Sequence, residues 1–88
     1  MKVRYENYGN YSSTNYGTHT LVFTDSIGYK YYFSYTTLIA FYTPKSGLVI
    51  RDNVWGPTTG KHLNWINEDK TIRKTSEEFN ELYKKYCL

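Results

Sequence analysis

The chain has 88 residues, a net charge of +3 at pH 7 and one cysteine, and 19% of its residues are aromatic. This length fits one domain spanning residues 1–88, and a lone thiol excludes an internal disulfide and a cysteine-based zinc site. No apolar run approaches the roughly 20 residues that a membrane span needs, and no signal peptide follows Met1. We therefore expect a cytoplasmic protein that makes no membrane contact.

The first 24 residues predict a strand, a loop and a second strand. Residues 1–8 alternate between polar and apolar side chains, and residues 18–24, THTLVFT, are rich in β-branched and aromatic residues. Between them, Asn and Gly favour a looped backbone. Two interpretations stay open for the rings of Tyr8, Tyr11 and Tyr16: they are exposed for stacking on a partner, or they fold back on the sheet.

Residues 29–42, YKYYFSYTTLIAFY, have the highest density of aromatic and β-branched residues and predict the centre of the sheet. Fourteen residues exceed a normal strand of about 5–6, so we expect a bend at residues 35–37. Turn sequences at residues 25–28 and 44–47 connect the neighbouring strands into hairpins.

Two helices are predicted after residue 53. Residues 61–66 predict a short helix with Thr58 or Thr59 as its N-cap, and a polar linker follows at residues 67–70. Thr75 and Glu78 have the spacing of a capping box at the start of a second helix. The apolar stripe of that helix consists of Phe79, Leu82, Tyr83 and Tyr86.

These elements predict one α+β domain. It has an antiparallel sheet of about five strands, packed by a C-terminal amphipathic helix, plus one short helix.

The chain offers little for catalysis, and we expect no enzyme activity, no metal and no cofactor. His19 and His62 lack a metal-ligand spacing, and Cys87 lies next to a chain end. Residues 56–62, GPTTGKH, differ from a phosphate loop, because three residues separate the glycines and His62 replaces the Ser or Thr that binds magnesium. Backbone N–H groups at residues 59–61 could still hold an anion beside Lys61, although a cap formed by Thr59 is favoured.

The remaining aromatic and basic residues favour a binding role. One alternative is a nucleic-acid surface, because tyrosines and lysines on an open sheet face suit single strands. The candidate partner-binding residues are Tyr8, Tyr11, Tyr16, Lys30, Tyr32, Arg51, Trp55, Lys61 and His62.

A longer pattern supports a resemblance. It consists of an Asn-Tyr-Gly segment, residues 32–41, residues 48–51, Asn53, Trp55, residues 58–66 and residues 77–79. In these residues the chain resembles a family of small uncharacterised proteins of bacteriophages and mobile elements. The resemblance implies a non-catalytic binding protein in the cytoplasm of a bacterial host cell. It also implies a partner such as a CRISPR nuclease or another defence effector, which the protein would inhibit by direct contact, as anti-CRISPR proteins do.

Overall fold

Six strands form one sheet in the computed structural model, which describes residues 4–9 and 19–87. The strands are β1 (Arg4–Asn7), β2 (Leu21–Thr24), β3 (Lys30–Ser34), β4 (Thr37–Thr43), β5 (Gly47–Arg51) and β6 (Arg73–Lys74). They are ordered β1-β2-β3-β4-β5-β6 across the sheet, and the helices are α1 (Pro57–Ile66) and α2 (Ser76–Cys87). The predicted α+β class is confirmed, with one strand more than the expected five or so.

The first five strands pair antiparallel along the chain, and the β2–β3, β3–β4 and β4–β5 connections are short enough to be hairpin turns. In the β2–β3 turn, a carboxylate oxygen of Asp25 accepts hydrogen bonds from the backbone N–H groups of Ile27 and Tyr29, both at 3.0 Å. Gly28 follows with a φ of 89°, which glycine adopts without strain. The expected bend in the aromatic stretch is confirmed at Tyr35, whose φ is 56°.

The sixth strand was not predicted, and its pairing with β5 is the only parallel pairing among the described strands. Ile50 of β5 lies opposite Arg73 of β6. A parallel pair requires a crossover, and α1 lies within the connection. The prediction of a simple polar linker is therefore incomplete, because a 3₁₀ helix at Lys70–Ile72 follows it and leads into a strand of only two residues. A strand this short has no alternation to detect.

Helix α1 begins four residues earlier than expected. Its N-cap is Gly56, which makes no side-chain cap, and Pro57 occupies the first turn. Proline suits that position because its fixed φ matches the helix and its missing N–H has no intrahelical partner there. The prediction that Thr58 or Thr59 caps the helix is therefore wrong.

Helix α2 begins as the sequence predicts. The backbone N–H of Glu78 donates to the Thr75 hydroxyl at 3.2 Å, and that hydroxyl lies 3.3 Å from the Glu78 carboxylate. Acidic residues occupy the first turn and lysines the last, which complements the helix dipole. The predicted stripe is confirmed as the packing face, because Phe79 is buried and Leu82, Tyr83 and Tyr86 pack around it.

The two helices lie on opposite faces of the sheet, since alternate residues of β4 and β5 belong to different core clusters. One cluster joins Ala40 and Ile50 to Leu63 of α1. The other joins Phe41 and Val49 to Phe79 of α2. The hydrophobic core therefore lies around β4 and β5. Neither described helix has the length and apolar composition to cross a membrane.

Candidate binding face

A row of aromatic residues crosses the face of the sheet on which α2 lies. The pairing register places Tyr5 opposite Phe23, Phe23 opposite Tyr31, and Tyr31 opposite Phe41. Residues that lie directly opposite each other have side chains on the same face. The rings of Tyr5 and Phe23 are 6.0 Å apart, so the row continues to β1 at the edge of the sheet.

Helix α2 covers only part of this row. The Phe79 and Tyr83 rings lie 5.3 Å and 5.7 Å from the Phe41 ring, and α2 packs mainly against β4, β5 and β6. A helix is about 10 Å wide and strands are about 4.8 Å apart, so one helix covers two or three strands. Among the described residues, no helix packs mainly against the α2 side of β1, β2 and β3, although Tyr31 of β3 packs at the margin of the Phe41–Phe79 cluster.

The uncovered area contains a shallow aromatic groove, defined by Phe23, Tyr31, Phe33 and Tyr83, with a volume of about 430 Å³. The Phe23 and Phe33 rings meet edge to face, with centroids 5.6 Å apart. Burial, and to a smaller degree the nearby Cys87 and Asp25, raise the pKa of Tyr31 to about 12. The phenol therefore stays neutral at physiological pH, and the groove is uncharged.

The predicted binding residues Tyr8 and Tyr32 meet on the opposite face. Their rings are 5.5 Å apart and edge to face, and the Tyr8 hydroxyl donates a 2.8 Å hydrogen bond to the Phe33 carbonyl oxygen. Burial raises the pKa of Tyr32. Tyr8 therefore folds back on the sheet, as one of the two interpretations expected. Tyr11 and Tyr16 lie outside the described residues.

Two further predicted residues, Arg51 and Trp55, form a separate contact at the start of α2. The Arg51 guanidinium carbon lies 4.9 Å from the Trp55 ring and 5.2 Å from the Phe79 ring. Its Nη2 donates to the Ser76 hydroxyl at 2.7 Å. Arg51 thus links β5 to α2, while Trp55 remains 44% exposed.

The last predicted pair, Lys61 and His62, lies on α1. His62 is fully buried, its Nδ1 lies 2.6 Å from the Ser34 hydroxyl oxygen, and its ring stacks on Trp65 at 5.7 Å. The Lys61 ammonium lies 5.4 Å from the Trp65 ring. Burial is the main cause that lowers the pKa of His62, with smaller contributions from the charges of Lys61 and His19.

The contact between Ser34 and His62 combines a hydroxyl with an imidazole, the groups of many nucleophilic sites. Both side chains are buried, so a substrate has no access to either. Thr59 does not cap α1; its hydroxyl lies 3.5 Å from the Ser34 hydroxyl. Within residues 4–9 and 19–87, no group of three or more His, Cys, Asp and Glu side chains could hold a metal ion.

The predicted binding residues thus lie at separate places, and sequence reasoning did not select the aromatic groove. Alternation along β3 places Tyr31 and Phe33 on one face, which is a signal that the sequence contains. The second signal is the length of α2, because a helix of 12 residues covers less area than the face of a sheet of several strands. Together they indicate that part of this face stays open.

The fold and this face define a small α+β domain with a partly exposed aromatic sheet surface. Residues 1–81 match the model of a family of unknown function (DUF8033), and the chain belongs to that family. This agrees with the expected resemblance to an uncharacterised family. No curated protein and no solved structure matches the chain.

Proposed function

We propose that this protein is a non-catalytic binding protein that recognises a protein partner through the aromatic groove and the adjacent Tyr5. The observation that supports this is a partly exposed aromatic surface on a sheet face that the described helix α2 covers only in part. Tyr5 is 69% exposed, although in the row that it continues Phe23 and Tyr31 are half-buried and Phe41 is buried. Aromatic residues that combine apolar area with few rotamers are enriched at protein interfaces and in their hot spots.

The charge distribution favours a protein over a nucleic acid at this surface. Arg4 and Lys30 lie one residue from Tyr5 and Tyr31 along their strands, so alternation directs them to the opposite face. Single-strand binders place cations beside their aromatic platforms. The strand positions of the groove supply rings and no cations.

The resemblance to proteins of bacteriophages and mobile elements indicates which partner to test first. We propose a bacterial defence effector, such as a CRISPR nuclease, that this protein inhibits in the host cytoplasm by occupying its surface. The burial of Ser34 and His62 supports a mechanism based on contact rather than on a reaction.

The test is co-elution with a panel of purified CRISPR and other defence nucleases. Tyr5→Ser should weaken the complex about tenfold or more, because interface hot spots contribute at least about 2 kcal/mol. Tyr42→Ser is the matched control, since Tyr42 is also exposed, at 37%, and points to the opposite face. Equal effects of the two substitutions, or no effect of Tyr5→Ser, would contradict the proposed surface.

A second candidate function uses the opposite face. The register aligns Arg4, Thr24, Lys30 and Tyr42 in one row across four strands, and Arg4, Lys30 and Tyr42 are exposed. Cations with an aromatic ring on a sheet are the features of single-strand binding. This function predicts oligonucleotide affinity that falls steeply between 50 and 200 mM salt. It also predicts that Tyr42→Ser, rather than Tyr5→Ser, reduces the affinity.

A further inference from the structure

Strand β1 forms one edge of the sheet that residues 4–9 and 19–87 build. It is the terminal strand in the sheet order, and all four of its residues are exposed. Strands at an edge present backbone N–H and C=O groups that can pair with another chain. Proteins often block such edges with proline, a bulge or charged side chains. β1 contains neither proline nor a bulge, and its charged residues, Arg4 and Glu6, alternate with Tyr5 and so lie on the other face of the sheet.

The pairing pattern shows which backbone groups point outward. The Tyr8 N–H donates to the Thr20 carbonyl oxygen at 3.0 Å, so residues 4 and 6 also direct their backbone groups toward β2. In an antiparallel pair, the residues between these direct their backbone N–H and C=O groups away from the neighbouring strand. The N–H and C=O groups of Tyr5 and Asn7 therefore face outward from the sheet.

We propose that the partner adds an extended strand to the edge of β1, pairing with the backbone groups of Tyr5 and Asn7. Alternate side chains of that strand would then lie beside Tyr5 and extend the aromatic row. The segment it accepts therefore has apolar side chains at every second position and polar ones between them. This inference rests on the proposed function, because it specifies how a protein partner reaches the same surface.

The first test uses a fluorescein-labelled synthetic decapeptide that alternates valine or phenylalanine with threonine or lysine, and measures its fluorescence anisotropy. Two analogues carry backbone N-methyl groups, one at the odd positions and one at the even positions. A strand directs only one alternate set of N–H groups to its neighbour. Methylation of one set should therefore weaken binding about tenfold or more, and methylation of the other set should leave it within about twofold.

The second test compares two substitutions at one position. Tyr5→Val and Tyr5→Pro both remove the ring, but only proline also removes the outward N–H, and proline is tolerated where an edge N–H faces solvent. We expect Tyr5→Pro to bind the decapeptide about tenfold more weakly than Tyr5→Val. Far-UV circular dichroism identifies any variant that fails to fold. If one does, the binding of the N-methyl analogues to the wild-type protein decides whether the peptide adds as a strand.

The outcomes separate this inference from the proposed function. Equal binding of both N-methyl analogues, or no binding of the parent peptide, overturns strand addition. The proposed function stands if Tyr5→Ser still weakens an effector complex, and it fails if Tyr5→Ser has no effect there. A dimer of the protein alone that Tyr5→Pro converts to monomer identifies a second copy as the occupant, which also overturns the inference.

Discussion

Replacing Phe79 with alanine removes the buried side chain through which α2 packs against the sheet. Phe79 is 2% exposed, and its ring lies 5.3 Å from Phe41 and 5.2 Å from the Arg51 guanidinium carbon. Truncation leaves a cavity between α2 and the sheet that the neighbouring rings fill only in part. The change therefore tests whether packing of α2 stabilises the whole domain.

The expected loss in the free energy of unfolding is about 3–5 kcal/mol, the range for Phe→Ala in a core. The loss of the ring contact with Phe41 accounts for about 0.5–1.5 kcal/mol of this. At about 0.05–0.15 kcal/mol per residue, a domain of this size has a total stability of roughly 4–13 kcal/mol. Phe79→Ala should therefore lower the Tm by at least about 12 °C.

Urea unfolding followed by far-UV circular dichroism measures this loss. Asn80→Ala is the matched control, because Asn80 is the next residue of α2 and is exposed. We expect its effect to stay within about 0.5 kcal/mol. A loss below about 1 kcal/mol for Phe79→Ala would show that α2 does not hold the sheet, and would refute the account of the core.

Three further predictions concern single residues. Because the pKa of buried His62 is lowered from 6.5, the unfolded chain binds the proton more readily. The contribution of neutral His62 to the free energy of unfolding should thus be complete above pH 6.5 and decrease as the pH drops below it. The urea midpoint of the wild type should therefore be lower at pH 5.5 than at pH 7.5, and His62→Gln should show a smaller difference. A Cβ on Gly9 would lie 2.9 Å from the Thr20 Cβ, so Gly9→Ala should cost about 1–3 kcal/mol in thermal unfolding, and an unchanged Tm would contradict that contact. Thr75→Ala removes the N-cap of α2 and should cost about 0.5–2 kcal/mol, whereas Thr75→Ser should recover most of it.

Local signals explain which parts of the fold could be predicted. The start of α2 depends on Thr75 and Glu78, which are three residues apart, so the sequence alone contains the whole motif. The bend at Tyr35 follows from strand length and was found where expected. The N-cap of α1 was misassigned, because the two threonines after Pro57 fit the capping preference better than Gly56 does.

Features that depend on tertiary structure could not be predicted. The β6 strand has two residues, and it exists because α1 returns the chain alongside β5. His62 is buried beside Ser34, which is 28 residues away in the chain, so its surroundings could not be deduced from neighbouring residues. The aromatic groove exists because α2 does not extend across the whole sheet. The hydrophobic patterns of strands and helices do not predict how much of a sheet a helix covers.

The uneven distribution of the core has a consequence for local stability. The fully buried apolar residues belong to β4, β5, α1 and α2, whereas β1 and β2 contribute none. Amide protons of β4 should therefore exchange with deuterium near the rate of global unfolding, and those of β1 and β2 much faster. A ligand seated against β1 would slow this exchange, so deuterium uptake locates the contact without any substitution.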